Sequence, residues 1–408
     1  MQIFLIICEG GDDWNQTVCN QKTQYRKGIF MITIYGKYTN AVVYTVRNEE
    51  YAIDEYARRQ LQRICDHKSA KGSKIRVMPD VHPGKVGTIG LTMTVGDSLL
   101  PSLVGVDIGC GMTIAKIKAK NIEYQKLDTV IRESVPVGGN IRKNQHPFAR
   151  QASLSRLRCY KAVDEAKALR SIGTLGGGNH FIEIDRDTDG NYYLVIHSGS
   201  RHLGMEVTEH YLKAGQHETQ MKKQGHAAYE MTCLEGSLLD DYLHDLAVTQ
   251  EYAANNRAAM IDEIVRGMKW RIIDSYTCIH NYVDFSGELP VLRKGAISAK
   301  TGEKVVIPIN MRDGIILGTG LGNEDWNCSA PHGSGRLYKR SEVKEHHTVS
   351  EFKKVMEGIH SICVNKDTLD EAPFAYRKID DITEVIGDTV MIDRIIKPVY
   401  NFKAGGKN

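Results

Sequence analysis

The chain has 408 residues, and 53 basic against 50 acidic residues leave a formal net charge of +3 at pH 7. That balance excludes a globally polycationic nucleic-acid binder, so any contact with a polyanion must come from a local patch. The nine cysteines are odd in number and form no Cys-x-x-Cys pair, and no apolar run approaches the ~20 residues of a membrane helix, so a disulfide framework and a membrane span are both excluded and a cytoplasmic protein is expected.

Residues 1–30 are polar and mixed. Their first eight residues are apolar but lack a basic flank and run into Glu9, Asp12 and Asp13, so they do not read as a signal peptide. They are expected to be a peripheral N-terminal extension to one catalytic domain over residues 31–408. Residues 31–45 alternate like a strand pair around Tyr38-Thr39-Asn40. Residues 49–65 have helical spacing, with Ile53, Tyr56, Ala57, Leu61 and Ile64 on one face. A strand over 74–78 leads into a loop carrying Asp80, His82 and Lys85.

Residues 86–95 and 112–117 read as strands. Between them, residues 105–112 spell Gly-Val-Asp-Ile-Gly-Cys-Gly-Met. Glycines permit the tight turn that aims Asp107 and Cys110 at one point, and this pair suits a divalent metal of intermediate softness. A buried free cysteine would explain the same turn. A helix over 122–135 follows. The stretch 142–161 then carries Arg142, Lys143, Arg150, Arg156, Arg158 and Lys161 with no acid, which suits a solvated face and a polyanion contact equally.

Residues 171–184 contain Gly176-Gly177-Gly178, whose amides could approach a phosphate, followed by Asn179, His180 and Glu183. A strand over 192–196 ends at His197-Ser-Gly-Ser-Arg201. Residues 205–267 are read as helical scaffold, capped at Ser237 with Asp240 and buried along Leu239, Leu243, Leu246, Ala253, Met260 and Ile264, with Asn256 and Arg257 as the polar exceptions. Strands return after Asp274 and carry His280-Asn281 and Arg293-Lys294-Gly295. A glycine-rich segment holds Pro331-His332-Gly-Ser-Gly-Arg336, and a helix over 350–359 precedes the tail.

Asp107, Cys110, His180, His197, His280 and His332 all fall at strand ends or glycine-rich turns. Three of these imidazoles with the carboxylate and thiol would hold one or two divalent ions, Mn²⁺ or Zn²⁺. The Gly-x-x-x-x-Gly-Lys-Ser/Thr and Lys-x-Asp-Gly nucleotide motifs are absent. If a nucleotide is bound covalently, a histidine on a glycine loop such as His332 is the candidate acceptor, because neutral imidazole attacks phosphorus.

These segments resemble, in order, the RtcB family of GTP-dependent RNA ligases: Met78-Pro-Asp-Val-His82, Val104 to Met112, Gly173-Thr-Leu-Gly-Gly-Gly-Asn-His-Phe-Ile-Glu183, His197 to Arg201, His280-Asn281, Arg293 to Ala296 and His332 to Arg336. The resemblance spans residues from about 31 to 403. It implies an α+β fold, a large single domain whose mixed β-sheets line a metal cleft surrounded by helices. It also implies two Mn²⁺ ions held by Asp107, Cys110, His180, His197 and His280, with Cys110 as the bridge. His332 would carry GMP from GTP. Asn179, Glu183, Tyr376 and Lys403 match guanylate-binding positions. Arg201, Arg336 and Arg340 match basic positions for phosphate or RNA near the metals, and Asp80 matches a supporting carboxylate.

The implied substrates are RNA ends bearing a 2′,3′-cyclic phosphate or 3′-phosphate and a 5′-hydroxyl, in tRNA splicing or RNA repair, with room for an activating protein factor. A metal-dependent phosphoesterase that opens the cyclic end without joining, and a non-catalytic RNA-binding paralogue, are the alternatives. The chain departs from the family at Ile309-Asn-Met-Arg312 and at Pro331 before the candidate nucleophile.

Overall fold

The computed structural model describes residues 3–4, 21–26, 29–45, 53–221 and 228–404. An eight-stranded sheet runs in the order Ile3–Phe4, Gln21–Arg26, Ile29–Tyr35, Asn40–Thr45, Ile75–His82, Ile89–Thr94, Val291–Lys294, Asn281–Asp284. Among the described residues, its one parallel pair joins Asn40–Thr45 to Ile75–His82. A parallel pair needs a crossover, and the helix Glu55–Cys65 lies on it. Asp54 caps this helix by accepting the Tyr56 and Ala57 amides, and Ala57, Leu61, Ile64 and Cys65 face inward. Tyr56, expected on that face, is 55% exposed. It opens the first turn and points to solvent. Residues 49–52 of the expected helix lie outside the described residues. So does most of the expected N-terminal extension, of which Gln21–Arg26 pairs with Ile29–Tyr35.

A second sheet has seven antiparallel strands in the order Arg271–Ile279, Gly111–Lys118, Tyr192–Ser198, Phe181–Arg186, Val390–Lys403, Gly314–Gly320, Lys304–Asn310. Both of its faces are buried. Met112, Ile114 and Val195 pack on one side with Ile307 and Ile316. Ala115, Ile117, Leu194 and Ile196 pack on the other, against Leu127 and Ile131 of the helix Tyr124–Ser134 and Met260 and Ile264 of the helix Gly236–Met268. The two-residue period of a strand distributes these side chains. The result is an α+β architecture, the class expected from sequence, in which one mixed and one antiparallel sheet are packed with helices. Among the described residues, no helix is long and apolar enough to cross a membrane.

Two local expectations are corrected. The helix Gly236–Met268 begins before Ser237, with Glu235 at its N-cap and no side-chain cap bond. Leu234 and Glu235 are held in a strand pair with Ser98–Leu99, which sets where the helix can start. The basic stretch is not free of counter-charge. Arg142 pairs with Glu263 at 2.5 Å and Arg156 with Glu251 at 2.6 Å, both acids on the long helix, and Asp241 of that helix lies 3.8 Å from Arg158. Three of the six cations thereby face intramolecular acids.

Candidate active site

Strand register brings the sequence-predicted ligands to one edge of the second sheet. Gly111 pairs with Ser198 and with Ile279, while His197 pairs with both Met112 and Phe181. Cys110, His180 and His280 each sit one residue beyond these paired positions, and the ladder continues through the bond from the His280 amide to the Cys110 carbonyl at 2.9 Å.

The Cys110 Sγ lies 3.4 Å from His180 Nε2 and 3.3 Å from His197 Nε2. The donor atoms of these three buried residues all fall within 4.8 Å of one another. Asp107 Oδ2 is 3.1 Å from His180 Nε2, and His280 Nε2 is 3.3 Å from His197 Nε2. The five donors therefore form a chain with the thiol at its centre. His197 Nδ1–H donates to the Asn179 carbonyl at 3.2 Å, which leaves its Nε2 lone pair facing the thiol.

This donor set fits divalent ions. Burial, and then the Asp107 carboxylate, push the Cys110 thiol well above its ordinary range. Burial pushes the His197 and His280 imidazoles well below theirs, which favours the neutral form that a metal would require. Burial opposes ionisation of Asp107, but the His180 imidazole outweighs it and holds the carboxyl well below the usual range. A buried thiol and three buried imidazoles, packed this closely beside a partly buried carboxylate, make a donor set that could hold a divalent cation. Gly199 completes the fit, because a Cβ there would overlap the Asp107 carboxylate.

His332 stands beside this group, its ring centroid 4.7 Å from that of His280. It follows the short strand Ser329–Pro331, which pairs with Ala296–Ser298 and places Pro331 opposite Ala296. Pro331 thus fits a two-stranded ladder. His332 Nδ1 is 2.7 Å from Asp80 Oδ2, and the same oxygen accepts the His332 amide at 3.2 Å. His82 shares the strand Ile75–His82 with Asp80, in place of the loop expected there; it bonds the Asp80 carbonyl through Nδ1 at 2.8 Å, and burial lowers its pKa to about 4.

The remaining predicted residues divide into two groups. Glu183 accepts from Asn401 Nδ2 at 2.5 Å. Burial raises its pKa, and burial together with Glu183 raises that of neighbouring Asp185. Tyr376, Lys403, Arg336 and Arg340 converge on Glu371, at 2.6, 2.7, 3.2 and 2.6 Å. The sequence offered no signal for Glu371, which sits in an unremarkable Asp-Glu-Ala run. Only the convergence of three cations on one buried acid reveals it. Arg336 and Arg340 line the same cleft as Asp107, Cys110, His197 and His280, and both are anchored to this carboxylate. The Arg201 guanidinium reaches the Gly138 carbonyl at 2.9 Å and covers Gly176, where a Cβ would overlap it. Its φ of 56° is a strained value for arginine.

One cleft of about 1160 Å³ is lined by Cys110, His197, His280 and His332 and also by Glu183, Tyr376 and Lys403. Asn310 and Met311, from the segment that departs from the family pattern, line it too. Arg312 beside them is tied to Asp313 at 2.9 Å.

A family model described as tRNA-splicing ligase RtcB matches residues 60–162 and 151–404. The chain is 31% identical over 367 residues to the RNA-splicing ligase RtcB of Escherichia coli (strain K12), covering 81% of this chain and 90% of that protein. It is 26% identical over 417 residues to the tRNA-splicing ligase RtcB of Aeropyrum pernix, covering 78% and 85%. It is 25% identical over 403 residues to the tRNA-splicing ligase RtcB of Nanoarchaeum equitans, covering 76% and 83%. With that family match, that identity and the motifs gathered around one cleft, the chain belongs to the RtcB family.

Proposed function

We propose that this protein is an RNA ligase that joins an RNA 2′,3′-cyclic phosphate or 3′-phosphate end to a 5′-hydroxyl end at the expense of GTP. Asp107, Cys110, His180, His197 and His280 would hold two Mn²⁺ ions, with Cys110 shared between them. The ions supply charge neutralisation and polarisation of the phosphates. The observation that carries the reading is the His332–Asp80 contact within the cleft shared with the donor cluster. Asp80 accepts the Nδ1 proton, so the Nε2 lone pair of His332 is directed elsewhere and is available as a nucleophile.

In this reading, Nε2 of His332 attacks the α-phosphorus of GTP. A nitrogen–phosphorus bond forms as the bond to pyrophosphate breaks. A cyclic end is first opened by water to a 3′-phosphate, whose oxygen displaces His332 and takes the GMP. The 5′-hydroxyl oxygen then attacks that phosphate, GMP leaves, and the hydroxyl proton passes to solvent. Glu183, Asn179, Tyr376 and Lys403 would form the guanylate site, and Arg201, Arg336 and Arg340 would meet phosphates.

Incubation with α-³²P-GTP and Mn²⁺ tests the reading. An acid-labile, alkali-stable covalent label is expected, absent in His332→Ala. No label with any divalent metal would overturn it. Opening of a cyclic phosphate without label would instead favour a phosphoesterase.

A further inference from the structure

The helix Gly236–Met268 presents Leu246, Ala253, Met260 and Ile264 to the core, yet Asn256 and Arg257 between them are fully buried. Arg257 forms no ion pair among the described residues. Its guanidinium donates to the Gly109 carbonyl at 2.8 Å and the Ser198 carbonyl at 2.9 Å. It also donates to the hydroxyls of Thr113 at 3.0 Å and Thr277 at 3.1 Å. Gly109 precedes Cys110, and Ser198 follows His197. Thr113 lies on the strand that Cys110 opens, and Thr277 on the strand that ends before His280.

Asn256 works alongside. Its side-chain oxygen accepts the Gly173 and Thr174 amides at 2.9 and 3.0 Å, and its nitrogen donates to the Gly199 carbonyl at 3.1 Å. The turn approaches this helix closely, since a Cβ at Gly109 would lie 2.9 Å from Gln250 Cα. Burying an unpaired guanidinium costs several kcal/mol. Four of its five N–H donors are spent on segments that carry a candidate ligand.

We propose that Arg257 is a positioning residue for the metal centre, holding the Cys110 turn against the His197 strand end so that thiol and imidazole face each other before an ion arrives. The inference rests on the metal-site reading above. It makes a prediction of sign. Through charge alone, a cation beside the site repels divalent ions, so its removal would tighten their binding. Through geometry, its removal loosens the ligands and weakens binding. Lysine keeps the charge but not the planar fork that reaches two carbonyls and two hydroxyls at once.

Co²⁺ titration of the metal-free full chain separates these outcomes, read by the thiolate-to-cobalt charge-transfer band and by equilibrium dialysis, with far-UV circular dichroism as the check on folding. Wild type is expected to develop the band. Arg257→Met is expected to bind at least about tenfold more weakly, with a diminished band, and Arg257→Lys to fall between. Unchanged or tighter binding in Arg257→Met overturns the proposal. So does unfolding of both metal-free variants, which would make Arg257 a general fold residue. Absence of any binding by wild type would instead remove the metal-site reading itself.

Discussion

His332 and Asp80 are joined twice through one oxygen: Asp80 Oδ2 accepts both the imidazole Nδ1–H at 2.7 Å and the His332 backbone N–H at 3.2 Å. The carboxylate therefore sets both the tautomer of the ring and the position of its backbone. Asp80→Asn should keep the fold but lower the rate of nucleotide transfer to His332 by about two orders of magnitude or more, since an amide can present the wrong partner to Nδ1. Single-turnover labelling with GTP measures this, and a rate equal to wild type would show that Asp80 does not orient the nucleophile.

Cys110 sits at the centre of the donor chain, 3.4 and 3.3 Å from two imidazole nitrogens. Cys110→Ala should retain the fold and lose bound metal. Metal analysis after dialysis gives the answer: full Mn²⁺ content in the variant would dismiss the thiol as a ligand.

Gly199 tests the same centre without touching a ligand. A Cβ there would overlap the Asp107 carboxylate, so Gly199→Ala should displace Asp107 and weaken metal binding by about tenfold or more, the scale seen when a ligand's support is lost. Calorimetric titration with Mn²⁺ reads the shift. An unchanged affinity would mean that Asp107 lies outside the coordination sphere.

Glu371 governs the pH response of the cleft wall. Burial alone would raise its pKa, but Lys403, Arg340 and Arg336 outweigh burial and lower it from 4.5 to about 2. A depressed folded-state pKa means that the stabilisation is complete above the unfolded value of 4.5 and is lost as pH falls towards 2. Glu371→Gln should remove that acid-side slope. At pH 7 it should also cost about 3–5 kcal/mol, because buried cations are left uncompensated. Urea denaturation of both proteins between pH 2 and 7 measures the two effects together (stability at neutral pH and its loss in acid), and parallel curves would refute the assignment.

The candidate donor residues and the places where they break into the strand pattern were legible from sequence. Asp107 and Cys110 stand on a glycine turn, and His180, His197 and His280 stand at the ends of short apolar runs. Strand ends and tight turns are local properties, recorded in a few neighbouring residues. The α+β class was legible for the same reason, and so were the motifs shared with the RtcB family. Partners were not. The Asp80–His332 contact spans 252 positions, the Arg142–Glu263 pair 121 and the Arg257–Gly109 bond 148. The basic stretch looked uncompensated because its acids lie on a helix a hundred residues onward. Glu371 looked ordinary because the three cations that define it come from two other segments, Arg336 with Arg340 and the strand end at Lys403. Hydrogen bonds and ion pairs of this kind depend on sheet register and on which helix face packs inward, so only the tertiary structure could decide that the imidazole has a carboxylate behind it and the metal turn an arginine beneath it.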